Sequence, residues 1–324
     1  MNIAVIGLGS MGKRRIRLIR EMYPDYRIWG IDGREDRRNE ARARFDIDTC
    51  ESIDELEKKA RIDCVFVCTS PLSHNSIIHD ALSRGYHVFT ELNLVSDGYD
   101  DNMKLADERK MILFLSSTFF YREEIKYIKG RIDRNRHWNY IYHIGQYLPD
   151  WHPWESYKDF FLGDKRTNGC REIMAIELPW LTGTFGDVTE VNVISDKMTG
   201  LNINYKDNFM VQLTHENGNK GCLIVDVVSP IAVRKLEVYS EGKYISWNGT
   251  PDTLVEFDSG NKKAVAVQLT EKTEHMDGYS AFVVENAYKN EIKEFFDVVT
   301  KGKKALYGFE QDKKILELID RIGG

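Results

Sequence analysis

The chain opens with an apolar run, Asn2-Ile3-Ala4-Val5-Ile6, that passes without a break into Gly7-Leu8-Gly9-Ser10-Met11-Gly12. No other stretch limits the fold as tightly. A buried strand ending in G-x-G-x-x-G and running into a helix is the junction that binds dinucleotides. Gly7 permits the sharp turn off the strand, Gly9 leaves room for a pyrophosphate against the backbone, and Gly12 lets the helix pack closely on the sheet. Ser10 and Met11 of the loop are further cofactor-binding candidates, and the helix that follows offers its unpaired N–H groups to the phosphates. A second strand, Tyr26 to Ile31, ends in Asp32, an acid at the spacing that grips the adenosine ribose through its hydroxyls. The carboxylate points to NAD. Arg34, Arg37 and Arg38 just beyond it carry the charge a ribose 2′-phosphate needs, so NADP remains an alternative.

From residue 1 to about 118, apolar strands alternate with helical segments, the signature of βαβ units and a parallel sheet. Helices are expected at Lys13–Met22, Arg37–Phe45, Ile53–Ala60, His74–Arg84 and Asn102–Lys110. Strands are expected at Asp63–Cys68, His87–Thr90 and Ile112–Ser116. After Thr118 longer β-type stretches take over, including Val188–Ser195, Asn208–Leu213, Gly221–Val228, Lys235–Tyr239 and Ala264–Leu269. They predict a mostly antiparallel sheet, and helical patterns at Phe282–Val299 and Glu310–Ile322 follow. The expected fold is α/β: a Rossmann dinucleotide-binding domain over residues 1–118, then an α+β domain with an open, mostly antiparallel sheet over 119–324, for substrate binding and oligomerisation.

Charge and cysteine content exclude several classes of function. Forty-five basic residues against 51 acidic give a net charge of −6, so no global basic field draws the chain to nucleic acid or anionic lipid. The five cysteines, Cys50, Cys64, Cys68, Cys170 and Cys222, are odd in number and form no C-x-x-C pair, which predicts reduced thiols. No basic-then-apolar leader precedes the first strand and no apolar run reaches membrane-spanning length, so a cytoplasmic protein without a membrane partner is expected. No His, Cys and acid cluster has zinc spacing, and no catalytic metal is expected.

Two further stretches, Cys68-Thr69-Ser70-Pro71-Leu72-Ser73-His74 and Ala81 through Glu91, make the N-terminal half resemble the glucose-fructose oxidoreductase, inositol dehydrogenase and MocA family. The resemblance covers the N-terminal domain and, more loosely, the domain after it. It implies that Thr69, Pro71 and His74 lie beside the nicotinamide ribose and that Glu91 sits near the cofactor. His74 is one residue early for that spacing. It also implies association through the open face of the C-terminal sheet, giving a homodimer or a higher homo-oligomer. The departures are chemical. The family's Glu-Lys-Pro motif, with its catalytic lysine, reads Glu91-Leu92-Asn93, and leucine exchanges no protons. The second motif aligns with Gly169 to Pro179, placing Glu172 at the first acid, Ile176 at the histidine and Pro179 at the last acid.

Without the lysine, another group must exchange the hydroxyl proton during hydride transfer. Residues 140–155 mix aromatic rings with His, Asp and Gln, the composition with which a pocket stacks on sugar faces and fixes hydroxyls. His152, in a stiff turn between Trp151 and Pro153, is a candidate acid/base because an unperturbed imidazole titrates near ~6.5. Glu172 is the second candidate. Glu177 lies five residues on, about 140° round a helix, so the two acids face different ways. Arg171 has the fork to clamp a carboxylate or phosphate. Tyr121, just after the last strand of the first domain, is the third candidate. His143 reads as a sheet residue, and His215 and His275 read as solvated.

The leading expectation is an NAD(P)-dependent oxidoreductase acting on a hydroxyl or keto group of a small sugar-like substrate. A lyase or hydrolase that oxidises its substrate only transiently is a second class. A dinucleotide-binding protein without catalysis is a third.

Overall fold

The computed structural model describes residues 1–151, 156–269, 273–274 and 282–324. Two compact units divide the chain: Met1–Ser117 with Tyr288–Lys313, and Thr118–Ala287 with Lys314–Gly324. The first unit thus takes back a C-terminal stretch that a division at one point in the sequence does not contain.

The first unit runs β1 (Asn2–Ile6), α1 (Ser10–Met22), β2 (Arg27–Ile31), α2 (Glu35–Phe45), β3 (Asp48–Cys50), α3 (Ile53–Glu57), β4 (Cys64–Val67), α4 (His74–Ser83), β5 (His87–Thr90), α5 (Tyr99–Arg109) and β6 (Leu113–Leu115). Among the described residues its strands form one parallel sheet in the order β3-β2-β1-β4-β5-β6. That is the doubly wound order, with its crevice at the carboxyl ends of β1 and β4, where the direction of winding reverses. Continuous apolar strands are explained by helices on the sheet: Val5, Phe66, Phe89 and Phe114 are buried with Ile16 and Ile19 of α1. Phe66, Phe89 and Phe114 stack in a row. Phe295, on α8 (Glu285–Lys301), which joins this unit from Tyr288, meets all three edge-on at 5.2 to 5.6 Å. Such rings fix the returning helix by apolar burial and edge-to-face contact together.

The second unit runs α6 (Glu123–Arg131), β7 (Asn139–Gly145), α7 (Gly169–Phe185), β8 (Val188–Asp196), β9 (Asn208–His215), β10 (Lys220–Asp226), β11 (Val233–Ser240), β12 (Lys243–Trp247), β13 (Val255–Asp258) and β14 (Lys263–Ala266). The helices α8 (Glu285–Lys301) and α9 (Phe309–Ile322) close the chain. The sheet order is β14-β13-β12-β11-β7-β10-β9-β8, antiparallel except where β10 lies parallel to β7. Alternation along β7 buries Tyr140, Tyr142 and Ile144 on one face, where Tyr140 stacks on Phe185 and Tyr142 meets Trp180 of α7 edge-on. The opposite face leaves Ile141, Ile194 and Met210 at 42%, 76% and 50% exposure. Cys50, Cys64, Cys68 and Cys170 are buried, Cys222 is half-buried, and none of the five is in a disulfide. Among the described residues, no helix is long and apolar enough to cross a membrane.

Candidate functional site

In the first unit the glycine turn is shaped by hard contacts. Gly7 has φ +91, a left-handed conformation, and a Cβ there would come within 2.6 Å of the Cys68 carbonyl. A Cβ on Gly12 would lie 1.9 Å from the Gly7 carbonyl. Neither position accepts a side chain. At Gly9 the first atom a Cβ would meet is Arg37 Nη1 at 3.9 Å, so the backbone there stays open to a ligand. Gly9 caps α1 without a side chain and no acid occupies the first turn, leaving the helix's positive end at Ser10 and Met11 for an anion. The residues fit a dinucleotide.

Asp32 is organised from both sides: Leu8 N–H donates to Oδ2 at 2.8 Å and Arg34 N–H donates to Oδ1 at 2.9 Å. The three arginines separate by role. Arg34 pairs with Asp36, and Arg38 donates to the carbonyls of Asp32 and Gly33. Arg37 stands 3.7 Å from Asp32 Oδ2, close to Gly9.

Thr69 Oγ1 accepts from Ser73 Oγ, and Pro71 starts a short 3-10 turn that leads into α4. His74 is 2% exposed, and burial pushes its pKa down. Its Nε2 lies 3.0 Å from the Thr69 carbonyl and its Nδ1 lies 2.6 Å from Asn93 Oδ1. The ring therefore ties the loop after β4 to the loop after β5. Glu91 is gripped by Arg15, whose Nε and Nη2 donate to its two oxygens at 2.6 and 3.1 Å. Sequence reasoning passes over Arg15, because an arginine in a helix rich in arginine reads as surface.

In the second unit Glu172 lies at the start of α7. Asn168 caps the helix by accepting from Arg171 N–H at 2.9 Å. A Cβ on Gly169 would lie 3.2 Å from the Trp151 ring, so the tryptophan packs directly over the first turn. Glu172 lies in that turn; its Oε2 is buried with no hydrogen-bond partner among the described residues, and burial alone pushes its carboxyl up to about 7. The residue as a whole is half-buried, and a carboxylate with one oxygen kept from water and without a donor favours its proton.

Glu177 is committed elsewhere. Tyr142 Oη and Trp180 Nε1 donate to Oε2 at 2.8 and 2.7 Å, and Arg234 donates twice to Oε1. Arg171 Nη1 donates to Asp320 and to the Gly324 carbonyl, groups that α9 and the residues after it bring to the start of α7. Tyr121 is buried at 5% exposure in a short turn. Its neighbour Arg122 is held by Glu124 and the carbonyls of Gly249 and Phe282. His143 is the sheet residue expected, with Nε2 2.8 Å from Asp226. His215 corrects the expectation of a solvated ring. It is 2% exposed, bonded to Tyr140 Oη and the Gly186 carbonyl, because the end of β9 curls under α7. His152 and His275 lie outside the described residues. Among the described residues, no group of three or more His, Cys, Asp or Glu is placed to hold a metal.

Residues 1–116 match the model of the Gfo/Idh/MocA family, described as an oxidoreductase family with an NAD-binding Rossmann fold. Among solved structures the chain is similar to a levoglucosan dehydrogenase in complex with NADH, at TM-score 0.81 and 15% identity over 100% of this chain and 96% of the other. UDP-N-acetylglucosamine 3-dehydrogenase GnnA from Acidithiobacillus ferrooxidans matches at TM-score 0.76 and 15% identity, over 99% of this chain and 96% of the other. Biliverdin reductase from Synechocystis sp. PCC 6803, in complex with biliverdin and NADP+, matches at TM-score 0.76 and 18% identity, over 99% and 98%. No protein of curated function matches the sequence.

Proposed function

We propose that the protein is an NAD(P)-dependent oxidoreductase acting on a hydroxyl or keto group of a sugar or sugar-derived substrate, with Glu172 exchanging the substrate's proton. The observation that carries the reading is the glycine cradle at Gly7, Gly9 and Gly12 with Asp32 held beneath it. A nicotinamide bound there supplies the hydride acceptor or donor. Gly9, Ser10 and Met11 hold the pyrophosphate, Asp32 grips the adenosine ribose, and Thr69 and Pro71 line the nicotinamide ribose. His74 orients the Thr69 loop rather than touching ligand, since both ring nitrogens are already engaged. Asp32 favours NAD, while Arg37 beside it tolerates a 2′-phosphate.

Glu172 supports the chemistry because a carboxyl near 7 accepts and returns a proton at neutral pH, the range in which general acid–base catalysis is most effective. Trp151 offers a ring for an apolar sugar face beside it. His152 follows Trp151 directly in sequence and remains the second acid/base candidate; Tyr121, a hydroxyl in a buried turn, is the third. The sugar class draws on the levoglucosan and UDP-N-acetylglucosamine dehydrogenases among similar structures.

The deciding experiment is calorimetry with NAD+, NADH, NADP+ and NADPH, followed by a sugar screen read by absorbance of the reduced cofactor. Micromolar binding with substrate-dependent NADH formation supports the proposal. Binding with turnover but no net NADH moves it to the transient-oxidation class, and absence of binding overturns it. Ile194, Met210 and Ile141, exposed on one face of the sheet, support a homodimer or higher assembly. Light scattering that gives only 37.6 kDa at working concentration removes that part of the reading.

A further inference from the structure

Behind the carboxyl end of β5, the first unit buries an ion cluster that spans the whole sequence. Arg15 is fully buried, its guanidinium 4.5 Å over the Phe89 ring and 5.3 Å from the Tyr288 ring. It holds Glu91 with two hydrogen bonds, and its Nη2 also donates to Glu291 Oε2 at 2.7 Å. Glu291, on α8 and itself fully buried, further accepts from Ser116 Oγ and from Ser117 N–H at 2.8 Å. Glu91 is the member that reaches the surface, at 12% exposure. It emerges beside Cys68, in the loop that presses on Gly7, and hence next to the crevice where the strand order reverses.

An Arg15–Glu91 pair alone would be a neutral dipole whose field fades quickly. Glu291 changes the balance, because it offsets the same guanidinium from behind and leaves the field of Glu91 uncancelled at the surface. The two rings of the nicotinamide couple differ in charge: oxidised is cationic, reduced is neutral.

We propose that Glu91, backed by Arg15 and Glu291, discriminates the oxidation state of the bound dinucleotide, favouring the oxidised form over the reduced one. Glu91 is the group facing the ring's charge. Arg15 and Glu291 are positioning residues that fix its orientation and set its field. The inference rests on the dinucleotide reading above.

Other titratable groups around the cluster keep one charge near neutrality. Burial pushes the Cys68 thiol well up and raises the Tyr288 hydroxyl, so both stay protonated, and His74 is lowered and stays neutral. The Arg14 guanidinium lies 4.5 Å over the Tyr288 ring. Burial raises Glu291, so acidification protonates it before a surface carboxylate and weakens the discrimination.

The test is calorimetric titration of the full-length protein with NAD+ and with NADH, for wild type, Glu291→Gln and Glu91→Gln. The quantity read is the ratio Kd(NAD+)/Kd(NADH), in which effects common to both forms cancel. Both substitutions are expected to raise it by roughly three- to tenfold, the scale of one partly screened charge. In wild type the ratio should also rise as the solution is acidified and Glu291 takes up its proton, and this rise should be smaller in Glu291→Gln. If Glu291→Gln does not fold, Glu91→Gln and the wild-type pH series decide. Tight binding of both forms with a ratio unmoved by substitution and by pH overturns the inference and leaves the dinucleotide reading intact. Failure of wild type to bind either form overturns both.

Discussion

Asp32, at the end of β2, and Glu172, in the first turn of α7, are both acids, and they are treated in opposite ways. Asp32 has an N–H donor on each oxygen, supplied by residues Leu8 and Arg34. Glu172 keeps a buried oxygen without a partner and is pushed up to about 7. A carboxylate that only has to bind is best held rigid and ionised, whereas one that moves a proton needs its two charge states close in energy. A buried carboxylate oxygen without a donor is a stability cost, and such strained acids concentrate at functional sites.

The largest effect that separates the two regions is expected at Gly12. Gly12→Ala sets a methyl 1.9 Å from the Gly7 carbonyl, so dinucleotide binding by calorimetry should be lost outright while α7 and its sheet remain folded by circular dichroism. Retained micromolar binding would mean that the turn has slack. Next comes Glu172→Gln, which should lower kcat by about 10²–10⁴ with dinucleotide Kd unchanged. A proportional loss of binding would return Glu172 to a structural role.

The same substitution has a stability signature. The Glu172 carboxyl keeps its proton up to about 7 when folded and loses it near the ordinary 4.5 when unfolded, so stability falls as pH rises through that window. Complete ionisation costs on the order of 3 kcal/mol. Glu172→Gln should therefore flatten the Tm–pH curve between 4.5 and 7 and raise Tm at pH 8 relative to wild type. An unaltered curve would show that the carboxyl is solvated in solution. The smallest effect is expected at Arg37, where Arg37→Gln should weaken NADP+ several-fold relative to NAD+, the size of one exposed charge facing a phosphate. A constant ratio would assign cofactor choice to Asp32 alone.

Legibility in the sequence followed the range of the interaction. The strand His87–Thr90 is read with its observed bounds, and β1, the glycine turn and Asp32 lie within one βαβ stretch whose pattern is self-contained. The strand β3 escapes notice because it is three residues long, too short for a period to register. In the second unit the alternating runs announce a sheet, but not that β10 would lie parallel to β7. Arg171, a plausible clamp by type, is taken by Asp320, 149 residues away. His215 looks like a turn residue because its bond to Tyr140 crosses 75 residues.

What the sequence determined by itself is the class of fold and the shape of the glycine turn, since turn geometry and hydrophobic period are properties of a few adjacent residues. Tertiary structure decided which charges are spent and which are left. Glu177 is quenched by Tyr142, Trp180 and Arg234, Glu172 is left unpaired, and Arg15 gathers Glu91 and Glu291 from 76 and 276 residues away. A charge's chemistry depends on burial and on its partners, and both are set only when distant segments close around it.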